Sequence, residues 1–193
     1  MRTEGGFNPE RMSGETGRLY EERMLGKPNL NAEFWERERK LPRNERGRYR
    51  SDEDIYRLVS EYQEDEQGRP VMEQFAIDLA DEVRDALGLR EGEADSVRFY
   101  TSVKSPIDAK LGVDGWFEFA DPDTKRTVRV TLDTTLNPRK LAENEPKADI
   151  YIGELPDAVQ EEDQYFRAVE LIGHDIAVRL QNRITEAHGR PQA

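Results

Sequence analysis

Cysteine is absent from this chain, which excludes disulfides, thiolate metal sites and a cysteine nucleophile. Long apolar runs are absent too. Nothing approaches the roughly 18 consecutive apolar residues of a membrane span, so no membrane partner is expected. The opening MRTEGGFNPERMSGE lacks the apolar stretch of a secretory signal, and the expected location is the cytoplasm. HExxH, GxGxxG, Walker-type and GxSxG motifs are all missing. Histidine occurs twice; His174, one turn after Glu170, is expected to flank an apolar stripe. Only 35% of the 193 residues are hydrophobic against 36% charged, so any core must be local.

What is present is charge, unevenly spread. Residues 1–50 hold 12 Lys+Arg against 9 Asp+Glu, a net of +3, whereas residues 51–193 hold 17 against 32, a net of −15. An acidic body disfavours tight binding of nucleic acid through phosphates. The basic run RERKLPRNERGRYR, Arg37 to Arg50, still offers a surface for nucleic acid or an acidic partner. Composition divides the chain into a charged, partly disordered N-terminal arm (1–50) and an α/β domain (51–193).

Within the arm, LYEERML (19–25) and NAEFWERERKL (31–41) read as short helices, with Phe34 and Trp35 as apolar anchors. Ser51 is a helix N-cap followed by acidic residues, and Ile55, Leu58, Val59 and Tyr62 keep helical spacing. A stronger helix is expected from Pro70, with Val71, Phe75, Leu79, Val83 and Leu87 on one face and Gly88 as its stop. SVRFYTSV (96–103) reads as a strand and KSPIDAKLG as a loop. ADIYIGEL (148–155) is a second short strand. A long helix from about Ala158 to Ala187 carries Phe166, Val169, Ile172, Gly173, Ile176, Leu180 and Ile184 on one face.

Between them, GVDGWFEFADPDTKRTVRVTLDTTLNP (112–138) reads as a β-hairpin. With its tip at Asp123-Thr124, Phe117 opposes Val130, Phe119 opposes Val128, and Glu118 meets Arg129. The same register sets Asp114 across from Asp133. Directly opposed Cβ atoms lie about 4.5–5.5 Å apart, where like charges repel, so two carboxylates so placed call for a cation or a shared proton. Asp133 shares its strand face with Thr131 and Thr135. Trp116 lies beside Asp114 and is expected under the final helix or against a substrate base. Helices bracketing such a sheet make an α+β (mixed α/β) fold: a small mixed sheet with a central hairpin, flanked by helices.

An acidic residue opening one strand, and another near the end of the next, resembles the metal-binding hairpin of the PD-(D/E)XK nuclease superfamily. The resemblance covers about residues 70–187, in element order, and implies a restriction-endonuclease-like fold. It also implies Mg²⁺ or Mn²⁺ held by Asp114 and Asp133, joined by a carboxylate from the preceding helix, for which Glu82 is chosen over Glu73, Asp78 and Asp85. Asp108 is a further candidate. In that family a lysine two residues after the second acid assists the attacking water. Thr135 stands there in this chain, and a hydroxyl carries no positive charge at neutral pH. Lys110 and Lys140, flanking the hairpin, are the candidate replacements for catalysis beside Asp114 and Asp133.

The resemblance implies two alternative functions. One is metal-dependent hydrolysis of phosphodiesters in nucleic acid. The other is a catalytically inactive interaction or structural module of the same fold, engaging a protein partner through residues 1–50.

Overall fold

In the computed structural model, residues 17–121, 126–136 and 147–189 are described. The hairpin tip expected at Asp123-Thr124 lies outside them. The elements are α1 (Gly17–Leu25), α2 (Ala32–Lys40), α3 (Asp52–Ser60), α4 (Gln74–Ala86), a 3-10 turn (Glu91–Ser96) and β1 (Val97–Thr101). After these come α5 (Pro106–Leu111), β2 (Gly115–Ala120), β3 (Thr127–Thr134), β4 (Ile150–Ile152) and α6 (Glu162–Gly189). The sheet order is β1-β2-β3-β4, antiparallel except for the parallel β3–β4 pair. The fold is therefore α+β around a small mixed sheet.

The β2–β3 ladder has the register expected from side-chain patterning: Phe117 faces Val130, Glu118 faces Arg129 and Phe119 faces Val128. One face of the sheet, with Phe99, Phe117, Val130 and Leu132, is buried by α1, α4 and α6. The opposite face is covered by α2, α3 and α5, whose Phe34, Ile55, Val59 and Ile107 enclose Trp116. Period-two alternation along the strands sorts residues between these cores. None of the described helices is long and apolar enough to cross a membrane.

Several expectations need correction. Residues 17–50, read as part of an arm, supply Tyr20, Met24 and Leu25 to one core and Phe34 and Tyr49 to the other. These anchors are few but wholly buried, which composition averages away. Helix α4 begins at Gln74 rather than Pro70, because Pro70 bridges Glu64 and the Val71 amide is spent on the Gln63 carbonyl. KSPIDAKLG is not a loop. Ser105 accepts from the Ile107 amide, Pro106 occupies the first turn and Gly112 closes the helix at φ +68°. In α6, Phe166 is 52% exposed and Tyr165 takes the core position one residue earlier. Trp116 lies under α3 and not α6, edge-on to Tyr56 and stacked on Tyr100.

Gly26 ends α1 at φ +74° against the chain entering α4, where a Cβ would lie 1.8 Å from the Val71 carbonyl oxygen. Its own carbonyl accepts from the Thr101 hydroxyl at 2.9 Å. Helix α1 is thereby tied to the end of β1, beside the head of β2.

Candidate functional site: a carboxylate cluster at the head of β2

Asp114 is held by its backbone before its side chain is considered. Its amide donates to the Leu132 carbonyl at 2.8 Å, and its carbonyl accepts from the Ser102 amide at 2.7 Å. The side chain is then aimed across the ladder: Oδ2 accepts from the Thr134 amide at 2.8 Å and the Thr134 hydroxyl at 3.0 Å. Only 3% of the residue is exposed.

Two further carboxylates converge on it. Glu21 comes from α1, and Asp108 from α5, where Asp108 Oδ2 accepts from the Lys104 amide at 2.8 Å. One carboxylate oxygen from each of Glu21, Asp108 and Asp114 lies within 4.8 Å of the others. Asp133 is buried in β3, in register with Tyr151 of β4. Gly115 pairs with Leu132, so Asp114 and Asp133 are the next positions along that ladder. Burial, then the charge of Glu21, pushes the Asp114 carboxyl up to about 8; Asp133 and Asp108 add to the rise, and the Thr134 N–H opposes it. An acid so placed stays protonated at neutral pH unless a cation offsets its neighbours.

The donor set fits a hard divalent cation. All of its atoms are carboxylate oxygens, and Mg²⁺ bonded at about 2.0–2.1 Å sets adjacent ligands about 3 Å apart. Oxygens within 4.8 Å of one another would close on the ion to reach that spacing.

The other expected site residues are placed differently. Glu82 is not brought to Asp114. It packs on α6, where a Cβ on Gly173 would lie 2.5 Å from its Cγ, and it lines a groove with Asp78, Asp81 and Asp85. Lys110 is turned away as well. Its Nζ donates to the Tyr49 hydroxyl at 3.1 Å and lies 3.7 Å from Glu38 Oε1. Two residues along a helix is about 200° of rotation, so Asp108 and Lys110 leave α5 on opposite sides. Lys140 lies outside the described residues. Thr135 is buried, with its amide bonded to the Ile152 carbonyl at 2.8 Å.

Sequence reasoning missed one member of the cluster and one lysine that lies over Gly112. Glu21 was assigned to the arm, although Tyr20 and Met24 at helical spacing with Gly26 as a stop are a docking signal. Lys147 was passed over because nothing local marks it. Its Cδ lies 2.8 Å from where a Gly112 Cβ would sit, two residues before Asp114, and its amide donates to the Tyr151 hydroxyl at 2.7 Å.

The fold and site together define a class: an α+β protein whose central hairpin carries a buried acid inside a cluster of carboxylates. Comparison with protein-family models, with curated proteins and with solved structures returned no match to this chain.

Proposed function

We propose that the protein is a divalent-metal-dependent phosphodiester hydrolase of the restriction-endonuclease-like type, with its metal site at Asp114. The observation that carries this reading is the burial of Asp114 among the carboxylates of Glu21 and Asp108, all within 4.8 Å. Support comes also from element order: a helix precedes three antiparallel strands, with one acid at the head of the second and another near the end of the third.

In this reading Asp114, Asp108 and Glu21 hold Mg²⁺ or Mn²⁺, and Asp133, buried in β3, adds negative charge beside them. A bound divalent ion would acidify a coordinated water and offset charge building at phosphorus. Thr134 fixes the orientation of Asp114 through two hydrogen bonds, leaving its Oδ1 for the ligand. The Lys104 amide does the same for Asp108. Lys147, lying over Gly112, replaces Lys110 as the cation proposed to face substrate.

A second reading, an interaction module without catalysis, is favoured by two observations: Lys110 is committed to Tyr49 and Glu38, and Thr135 stands at the motif lysine's position. Calorimetric titration with Mn²⁺ plus a plasmid-nicking assay separates the two. Heat and nicking in the wild type, both lost in Asp114→Asn, are expected. Heat without nicking leaves the second reading, and no heat retires the metal site.

A further inference from the structure

We infer that the cationic surface formed by α2 and the hairpin after it binds the phosphate backbone of an unpaired nucleic-acid strand, with Trp35 stacking on a base. Strand capture deepens the hydrolase reading; cleavage of the captured strand rests on that reading, whereas capture itself does not.

Two hairpins with the same backbone solution make the case. In the first, Arg43 bridges Tyr49, the Asn44 amide donates to the Arg48 carbonyl at 2.8 Å, and Asn44 Oδ1 accepts from the Arg46 and Arg48 amides. In the second, Glu64 bridges Pro70, the Asp65 amide donates to the Arg69 carbonyl at 2.8 Å, and Asp65 Oδ1 accepts from the Gln67 and Arg69 amides. The sequences align as RNERGRY and EDEQGRP. Their charges are handled in opposite ways. Asp65 neutralises Arg69 with Nε–Oδ2 at 2.6 Å, whereas uncharged Asn44 makes the same turn and leaves Arg48 its charge.

Residues 37–50 hold seven basic side chains against two acidic ones, in a chain of net charge −12. Arg37 and Arg43 are paired, with Glu61 and Glu38. Among the described residues, Arg46, Arg48 and Arg50 have no carboxylate within salt-bridge reach, and all three are exposed. Arg43, Arg46 and Arg50 line one notch with Asn44 and Glu45. The acidic remainder does not cancel this patch at a distance, because fields from exposed charges fade beyond about 8–10 Å at ordinary salt.

Trp35 adds a stacking face. It is 41% exposed on α2, one turn from exposed Arg39, whose Nε bonds the Trp35 carbonyl. An exposed aromatic beside unpaired cations is the pairing that single-strand binders use, bases on rings and phosphates on charges. Helix α5 stands between the patch and the carboxylate cluster. Tyr49 of the hairpin holds Lys110 of α5, and Asp108 of the same helix joins the cluster.

The test uses the full chain in EDTA at about 20 mM salt, titrated with oligothymidylate of roughly 20 nucleotides while tryptophan emission is monitored. Trp116 is fully buried, so quenching reports Trp35. Quenching is expected in the wild type and in Arg69→Ala. The triple variant R46A/R48A/R50A should bind at least about tenfold more weakly, with a salt slope shallower by about 2, at roughly 0.7 per phosphate contact. Trp35→Phe should keep its affinity by polarisation within a few fold. No quenching in the wild type would overturn the inference. So would equal binding by the triple variant, or equal quenching by polyglutamate. Because metal is absent, strand binding without Mn²⁺ heat sinks the hydrolase reading alone; Mn²⁺ heat without strand binding sinks this one alone.

Discussion

Two buried carboxylates, reached from opposite sides of α5, have opposite electrostatics. Glu38 is 6% exposed and Asp114 is 3% exposed. Burial opposes the ionisation of Glu38, yet the Tyr49 hydroxyl at 2.5 Å and the Arg43 guanidinium at 2.5 Å outweigh it and hold its carboxyl below the ordinary value. Asp114 has two donors from Thr134, but its charged neighbours are carboxylates, and its pKa is driven up to about 8. A buried charge with cations around it is a structural staple; here it locks α2, the first hairpin and α5 together. A buried acid among other acids costs the fold stability and gains meaning if a cation belongs there.

The largest expected effects come from exchanging each group for its neutral isostere. Asp114→Asn keeps an acceptor for Thr134 and removes the repulsion. Metal-free, it should unfold in urea with about 2 kcal/mol more stability than the wild type at pH 9, while Mn²⁺ binding weakens at least about 100-fold. Glu38→Gln should do the reverse, losing roughly 1.5–3 kcal/mol because Arg43 and Lys110 are left without their counter-charge, with Mn²⁺ affinity unchanged. Equal and same-signed changes in the two variants would break the contrast.

Next in size is pH. The folded state holds the Asp114 proton more tightly than the unfolded chain does. The unfolded state therefore binds fewer protons between the ordinary carboxyl range and about 8, and metal-free stability should fall as pH rises through that window. Saturating Mg²⁺ should flatten or reverse the fall, read by urea denaturation at several pH values. Glu38 contributes with the opposite sign: its stabilisation is present above the ordinary carboxyl range and is lost as pH drops through its lowered folded value.

The smallest effect on stability belongs to Lys147→Ala, expected within about 0.5 kcal/mol of wild type because the side chain is exposed. Its readout is elsewhere. Nicking should slow about tenfold with Mn²⁺ heat unaltered. A lysine that acts only as cover for Gly112 would leave the nicking rate unchanged.

The hairpin register was legible because two independent patterns agree on it: Phe117 with Val130 on one face, Glu118 with Arg129 on the other. A slip by one residue would invert both. Asp114 and Asp133 take their places from that ladder. Glu21 was not legible, since a ligand lent by a distant helix depends on how α1 docks, and that rests on three buried side chains and the approach at Gly26. Glu82 was chosen on helix position alone, and the close contact of α4 with Gly173 of α6 takes it elsewhere. Lys110 failed for a rotational reason: with α5 read as a loop, nothing required it to diverge from Asp108. The two matched hairpins escaped notice because their likeness is a turn, Asx-Glu-x-Gly-Arg, not a long repeat.

The most direct measurement is the titration of the Asp114 carboxyl by carbon NMR, with Asp114→Asn for assignment, first without metal and then with saturating Mg²⁺. The expected result is a midpoint near 8 that falls in Glu21→Gln and disappears from the accessible range once Mg²⁺ is bound. An ordinary aspartate midpoint of about 4, unmoved by either change, would contradict the assignment of this cluster as a cation site.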